Sequence, residues 1–391
     1  MDTNVFFSHF AQHFSHMFLK TDHKLGPAYT WGTHQIDGSN IYGPDEAWRR
    51  KLRSLRNGKL RSRMVNGEEW PLSVAEVPVA MRRLPNQRDE DLFALGHEFY
   101  TFSPGLIMVS TIWLREHNRV CDVLKAKHPE WDDEQLYQTA RNIVTGEVSV
   151  LIMQQYVKHV SQYKFDPLLD PTVIFDDGIR FIHSVPYEYN IMYHWHAQAT
   201  DYYDVGDQRF TPNQFLFNTS IPIDYGIERM VDAAVRQRAG KICGRNHGAS
   251  TLKVAIETLK QSRQLRTASF NQYRKRFGFE PYTSFTEITG GDRELARAME
   301  DLYGHVDGVE LYVGLMLEEP RVGILSHTML YLAGPTTFQG LMANPLLSND
   351  WWRPSTFGGE TGFDIVKGVD LQSLFCRNMK ECPRVAFTVP K

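Results

Sequence analysis

The stretch Asp133-Glu-Gln-Leu-Tyr-Gln-Thr-Ala-Arg-Asn-Ile-Val-Thr-Gly-Glu-Val-Ser-Val-Leu-Ile-Met-Gln-Gln-Tyr-Val-Lys-His-Val160 carries apolar residues at Leu136, Ala140, Ile143, Val144, Val148, Leu151, Ile152 and Tyr156. They recur at spacings of three and four, the repeat of one face of an α-helix. The spacing predicts one long helix over 133–160, and helical patterns continue on both sides. Upstream, 4–20 and the region from Glu90 onward read as helical. Ser103-Pro104 interrupts the latter, with Pro104 suited to the first turn of a new helix. Downstream, helices are expected at 225–238, 249–263, 293–303, 305–317 and 323–332, the last broken by Gly334-Pro335. Residues 26–42 and 162–182 read as loops, and short extended pieces fit 60–70. No repeat, low-complexity segment or dividing linker is visible. The expected fold is mainly α, one large helical domain over 1–391 with few short strands.

Composition supports a folded globular chain: 42% hydrophobic and 23% charged, with a net charge of −3 that excludes nucleic acid as an expected partner. No run of eighteen apolar residues predicts a transmembrane helix. Met1-Asp-Thr-Asn-Val-Phe-Phe-Ser-His9 lacks a basic leader region and a cleavage site. It reads as an amphipathic helix already under way, so the chain is expected to begin inside a domain. Cys376 and Cys382 flank a polar spacer that suits a short disulfide loop, whereas Cys121 and Cys243 read as ordinary thiols. Asn218-Thr219-Ser220 is a glycosylation sequon. Disulfide and sequon together lean towards the secretory pathway.

The chemistry-bearing stretch is Tyr193-His194-Trp195-His196. If it is helical, Tyr193 and His196 share a face, offering an oxidisable phenol beside an imidazole that can ligate haem iron. By spacing alone the plainer reading is favoured: a core tyrosine beside two satisfied histidines. A second group lies near the N-terminus. Gln12 and His16 are four apart on one helix face, beside a row formed by His9, His13 and His16. An imidazole can carry a proton between the two oxygens of a peroxide, and an amide can orient it. His13/His16 and His194/His196 also have metal-like spacings, but without a neighbouring glutamate base they are weak zinc signals.

Long segments carry a resemblance. Phe10-Ala-Gln-His-Phe-Ser-His16, Thr111-Ile-Trp-Leu-Arg-Glu-His-Asn-Arg-Val-Cys121, Tyr193-His-Trp-His196, Arg236-Gln-Arg-Ala-Gly240, Phe270-Asn-Gln-Tyr-Arg-Lys-Arg-Phe-Gly278, Pro281-Tyr-Thr-Ser-Phe285 and Pro354-Ser-Thr-Phe-Gly-Gly359 occur in that order along the chain. The chain resembles, along almost its whole length, the catalytic domain of the prostaglandin endoperoxide synthases, the cyclooxygenases of the haem-peroxidase superfamily. The resemblance implies haem as cofactor, with His196 as proximal iron ligand and Gln12 and His16 as the distal pair. It implies that Tyr193 becomes a tyrosyl radical, that Tyr156 hydrogen-bonds it, and that Tyr312 is a water-linked partner of His196, where plain core packing is the competing reading. Arg115, Glu116 and His117 are expected in structural ion pairs. The Cys376–Cys382 disulfide and a glycan on Asn218 match family positions.

The resemblance also implies a fatty-acid channel lined by Tyr156, Val157, Ser161, Trp195 and Leu330, with Ile152, Val160, Tyr189, Met192, Leu325 and Leu341. Thr337 stands where the family has the serine that aspirin acetylates, and Ala333 where it has glycine. Tyr163 is a candidate for the channel mouth. The carboxylate-pairing arginine, the growth-factor-like module and the membrane-binding helices of the family fall upstream of Met1. The implied activity converts arachidonate-type fatty acids and O2 to prostaglandin G2 and then H2, with a hydroperoxide and a reducing cosubstrate serving the peroxidase step. The implied setting is a homodimer in the endoplasmic reticulum lumen, at the microsomal membrane, although this sequence carries no targeting signal. Two other readings stay open. One is a related fatty-acid dioxygenase or plain haem peroxidase that makes hydroperoxides. The other is a non-catalytic, truncated haem-binding paralogue, against which the intact Gln12, His16, Tyr193 and His196 set argues.

Overall fold

The helix Pro104–Lys127 runs through the centre of the molecule, and every residue from Pro104 to Asn118 is buried. A helix apolar all round has no solvent face to keep, so it becomes the axis on which others pack. Ser103 caps it by accepting from the Gly105 N–H at 3.3 Å, and Pro104 takes the first position as expected. The computed structural model describes residues 2–22, 24–162, 167–174, 184–319 and 321–391. Against the central helix lie Val5–Ser15 and Asp133–Leu151. The close approach of Val5–Ser15 depends on Gly105, where a Cβ would stand 2.2 Å from the His9 ring.

The central helix's buried polar residues are paired inside. Arg115 donates to the Glu69 and Asn378 carbonyls and to Glu68. Glu116 accepts from Arg119, Arg377 and Asn378, and His117 bonds Tyr42 and Gly58. Arg377 also reaches Glu147 on the neighbouring helix. Asn4 starts the first helix and ties it down. Its Oδ1 caps Phe7, while its Nδ2 donates to the carbonyls of Val235 and Ala386. Cys376 and Cys382 are bonded near this C-terminal segment.

Helices dominate, as the periodicity predicts, but several boundaries move. The first helix is Val5–Ser15. The 133–160 helix begins with a capping box of Asp132 and Gln135, runs as α-helix only to Leu151, and widens into a π-helical turn over Ile152–Val157 before Lys158–Ser161. A π turn accommodates an extra residue and rotates the turns of helix beyond it, and such turns concentrate at functional sites. From Glu90 to Ser103 only Asp89–Asp91 and Tyr100–Phe102 are helical, both 3-10. Within 26–42 the last turn, Ser39–Tyr42, is helical. The 305–317 segment splits into Val306–Gly308 and Leu311–Leu317.

Expectation fails most clearly at Gly334-Pro335. The helix His327–Met342 passes through Pro335 without ending. An interior proline costs about 3 kcal/mol. Thr328, Met329, Leu332 and Ala333 before it, and Thr336, Thr337, Gly340 and Leu341 after it, are all buried, and that shared burial holds the helix together. The carbonyl that loses its partner belongs to Tyr331, which is exposed. Among the described residues the strands form three two-stranded antiparallel hairpins. Ser62–Val65 and Glu68–Pro71, in the region expected to be extended, turn on Asn66 and Gly67. Both have positive φ (53° and 76°), as a tight two-residue hairpin turn requires.

Candidate active site

The helix Tyr187–Met192 begins after Pro186 and ends one residue short of Tyr193. Tyr193 still donates its N–H to the Tyr189 carbonyl at 3.1 Å. The chain then tightens: Trp195 N–H bonds the Tyr193 carbonyl at 2.8 Å, and His196–Gln198 form a 3-10 turn. Tyr193 and His196 therefore do not share a helix face, which corrects the helical reading. In the turn, alternate residues go to the same side. Tyr193 stacks on Trp195 with ring centroids 4.6 Å apart, and His194 lies 5.5 Å from His196. Burying the two large rings together against Phe7 separates a phenol side from an imidazole side.

On the imidazole side, His194 donates Nδ1–H to the Asn190 carbonyl. The His196 side chain has no hydrogen-bond partner among the described residues, and its Nδ1 is buried. Burial, then the nearby His194, His16 and His247, lowers its pKa from 6.5 to about 3. His196 is thus a neutral imidazole with a free lone pair. The Tyr312 hydroxyl is bonded to the His194 carbonyl (3.2 Å) and to His247 Nε2 (2.9 Å), beside this pair.

Near His196 stands His16, the C-terminal cap of the first helix; it and Gln12 are half-buried while the ring-bearing positions of that helix are buried. His9 packs between Tyr203 and Phe215, and His13 is held by Ser110 and Asn40, so both belong to the core. His16 Nδ1 lies 2.7 Å from the Gln12 carbonyl. A carbonyl only accepts, so Nδ1 carries the proton and Nε2 keeps its lone pair. The ring stacks on Phe99 at 4.8 Å, with His97 at 5.6 Å on edge. Burial lowers the His16 pKa to about 4, opposed by the Gln12 bond and helped by Arg82 and His194. His97, whose Nε2 is buried without a partner, and His247 are neighbours that sequence reading passed over. Each is an isolated histidine with no motif around it.

On the phenol side, the Tyr156 hydroxyl donates to the Tyr193 hydroxyl at 3.2 Å. Tyr189 and Thr337 bond each other at 2.9 Å, and the Tyr189 ring packs on that of Tyr193 with centroids 4.8 Å apart. Burial, above all, raises the Tyr193 pKa well beyond 10. Phe7 and Phe14 pack on Tyr156, each at 5.4 Å, so the first helix faces both sides of the site. Of the other expected channel residues, Val157, Ser161 and Ala333 are buried and Leu330 is half-buried. Leu330, Ala333 and Thr337 share one face of their helix, and the Ser161 hydroxyl is used on the Val157 carbonyl. Ile152, Val160, Met192, Leu325 and Leu341 are buried as well. Asn218 is half-buried, with Nδ2 donating to the Gln214 carbonyl. Tyr163 lies outside the described residues.

His16, His194 and His196 lie near one another, with the tyrosines Tyr156, Tyr189 and Tyr193 behind them, an arrangement that suits a haem peroxidase. The chain matches the animal haem peroxidase family over residues 20–388 and belongs to it. It is similar to prostaglandin G/H synthase 1 of Rattus norvegicus, 46% identical over 391 residues, and to prostaglandin G/H synthase 2 of Equus caballus, 45% identical over 390 residues. Each match covers 99% of this chain, and the chain spans 65% and 64% of those two relatives. Its fold is that of peroxidase A from Dictyostelium discoideum (TM-score 0.79, 16% identity, covering 99% of this chain and 86% of that one). The fatty acid alpha-dioxygenase of Oryza sativa shares it too (TM-score 0.79, 17% identity, covering 99% and 77%). Haem is the family's prosthetic group, and the residues fit it. His196 offers a neutral imidazole whose side chain has no partner among the described residues, and its buried Nδ1 fits the bond that second-sphere groups give an iron-bound histidine.

Proposed function

We propose that the chain is a haem-dependent fatty-acid dioxygenase and peroxidase of the cyclooxygenase type, acting on arachidonate-like polyunsaturated fatty acids through a Tyr193 radical. One observation carries the reading. Tyr193 and His196 are three residues apart in a tight turn, yet they open to opposite sides, one into an apolar phenol cage and one towards His16. The arrangement joins a peroxide-cleaving site to a hydrogen-abstracting site over a few bonds.

Bound through His196, haem supplies the redox chemistry that peroxide cleavage and tyrosine oxidation both need. The chain does the rest. His16 Nε2 takes the proton from the hydroperoxide and returns it to the departing oxygen, while Nδ1–H stays on the Gln12 carbonyl and keeps the ring in place. The Gln12 amide, on the same face, orients the peroxide. Tyr312 and His247 hold the segment carrying His194 and His196. Tyr193 gives up its hydroxyl hydrogen to become a radical, held by the bond from Tyr156. It then takes a hydrogen atom from a doubly allylic carbon of a fatty acid lying along Val157, Ser161, Trp195, Leu330, Ala333 and Thr337. Oxygen adds, and ring closure gives prostaglandin G2. The Gln12/His16 side reduces that to H2, with a reducing cosubstrate returning the electrons.

The test is oxygen uptake and product analysis with arachidonate. An endoperoxide is the expected product, and Tyr193→Phe abolishes oxygen uptake while hydroperoxide reduction continues. Hydroperoxy acids alone make the enzyme a simpler dioxygenase. That outcome has its own support in the crowded hydroxyls around Tyr193. Family resemblance also supports a homodimer, peripheral membrane attachment and residence in the endoplasmic reticulum lumen, where the Cys376–Cys382 bond and a glycan on Asn218 would form. No helix among the described residues is long and apolar enough to cross a membrane. Sedimentation, vesicle flotation and glycosidase sensitivity test these three points.

A further inference from the structure

We propose that Tyr189 is a second redox-active tyrosine, which takes the unpaired electron from Tyr193 as a hydrogen-atom transfer and holds it against Thr337. The inference rests on the reading that Tyr193 forms a radical. Tyr189 sits one helical turn before Tyr193, with ring centroids 4.8 Å apart and planes 50° from parallel. It is 1% exposed, and its hydroxyl lies 2.9 Å from Thr337 Oγ1. The Tyr193 hydroxyl is hydrogen-bonded to that of Tyr156, and the Tyr189 ring, with Thr337 on its hydroxyl, packs against the Tyr193 ring. Tyr156 donates to it, so the hydrogen of Tyr193 is not spent on Tyr156 and is free for the side on which the Tyr189–Thr337 pair stands.

The step balances without an added base. A hydroperoxide, reduced to its alcohol beside Gln12 and His16, is the oxidant that leaves Tyr193 one hydrogen atom short. The O–H bond of Tyr189 breaks, the O–H bond of Tyr193 re-forms, and the radical now sits on Tyr189. Donor and acceptor are the same chemical group in equally buried surroundings, so the distribution is set by the hydrogen bonds each oxygen receives. Tyr193 keeps one from Tyr156. Tyr189 gains one from Thr337, whose hydroxyl is free to turn its hydrogen towards Tyr189, and one from the re-formed Tyr193 hydroxyl. Tyr156 offers no such refuge. Around its ring stand Phe7, Phe10, Phe14 and Phe387, and among the described residues its hydroxyl bonds Tyr193 alone. The equivalent would thus rest on Tyr189 between turnovers and return to Tyr193 when a lipid enters.

The experiment is freeze-quench, high-field electron paramagnetic resonance of the haem-loaded protein after one equivalent of ethyl hydroperoxide. The Soret band of each variant checks that the haem site is intact. The wild-type signal should contain two tyrosyl components, and Tyr189→Phe should lose one. Thr337→Val should shift the low-field g value of that component only, because it removes a hydrogen bond to the Tyr189 oxygen; a merely structural Tyr189 would show no such selective shift. Wild-type, Tyr189→Phe and Thr337→Val signals that superimpose overturn the proposal and leave the Tyr193 reading standing. A wild-type radical that survives Tyr193→Phe, or no tyrosyl radical at all, overturns both.

Discussion

Tyr193→Phe should destabilise the fold more than Tyr156→Phe does, although both remove one hydroxyl from the same hydrogen bond. Tyr156 is 1% exposed and donates to Tyr193 across 3.2 Å. Tyr193 also has the Tyr189–Thr337 pair packed beside it to turn to, whereas Tyr156 has Tyr193 alone among the described residues. Removing the Tyr193 hydroxyl therefore strands a buried donor, at about 1–3 kcal/mol. Removing the Tyr156 hydroxyl leaves Tyr193 partnered and forfeits one net bond, about 0.5–1.5 kcal/mol. With both replaced, no donor is stranded between the two rings, and the double variant should lose less than Tyr193→Phe alone. The cycle should thus show a coupling of at least about 0.5–1.5 kcal/mol between the two positions, the loss of Tyr156→Phe itself. Equilibrium urea unfolding at fixed haem concentration measures it, since bound haem adds its own stabilisation. A Tyr193→Phe variant as stable as Tyr156→Phe, or a double variant less stable than either single one, would refute the assignment of donor and acceptor.

The geometry sets four further outcomes. His16→Ala should slow hydroperoxide cleavage by roughly 10²–10⁴ without loss of the Soret band, the scale of a positioned acid–base group; stopped-flow traces within threefold of wild type would contradict it. Gly105→Ala places a methyl 2.2 Å from the His9 ring, so thermal stability should fall by about 1–3 kcal/mol and peroxidase rate with it, as the helix carrying Gln12 and His16 is pushed away. Arg377→Met leaves the buried Glu116 and Glu147 with Arg119 as their nearest cation and should cost about 3–5 kcal/mol in urea unfolding. His9, His117 and His159 are each lowered by burial from 6.5 to about 4. Between those values the unfolded chain binds protons that the folded one does not, so stability is full above pH 6.5 and declines as pH falls to about 4. A urea midpoint higher at pH 4.5 than at pH 7 would show the reverse sign.

Taken by itself, the sequence determined the helical class and most helix cores, because apolar residues at steps of three and four leave a helix one face to bury. The start at Pro104 was equally legible, since local backbone preferences decide it. The resemblance carried His16, Gln12, Tyr193 and His196 as a set, but not their relation in space. Only tertiary structure decided that Tyr193 and His196 open to opposite sides, because the stacking of Tyr193 on Trp195 ends the helix that spacing would have continued. Pro335 stayed inside a helix for the same kind of reason: burial on both its flanks outweighs a local penalty. The π turn that carries Tyr156 has no signature in a pattern that steps regularly through it. Which histidines are free is also a tertiary matter. His9 and His13 are taken up by Phe215, Ser110 and Asn40, while His16 and His196, of the same residue type, are left facing one another.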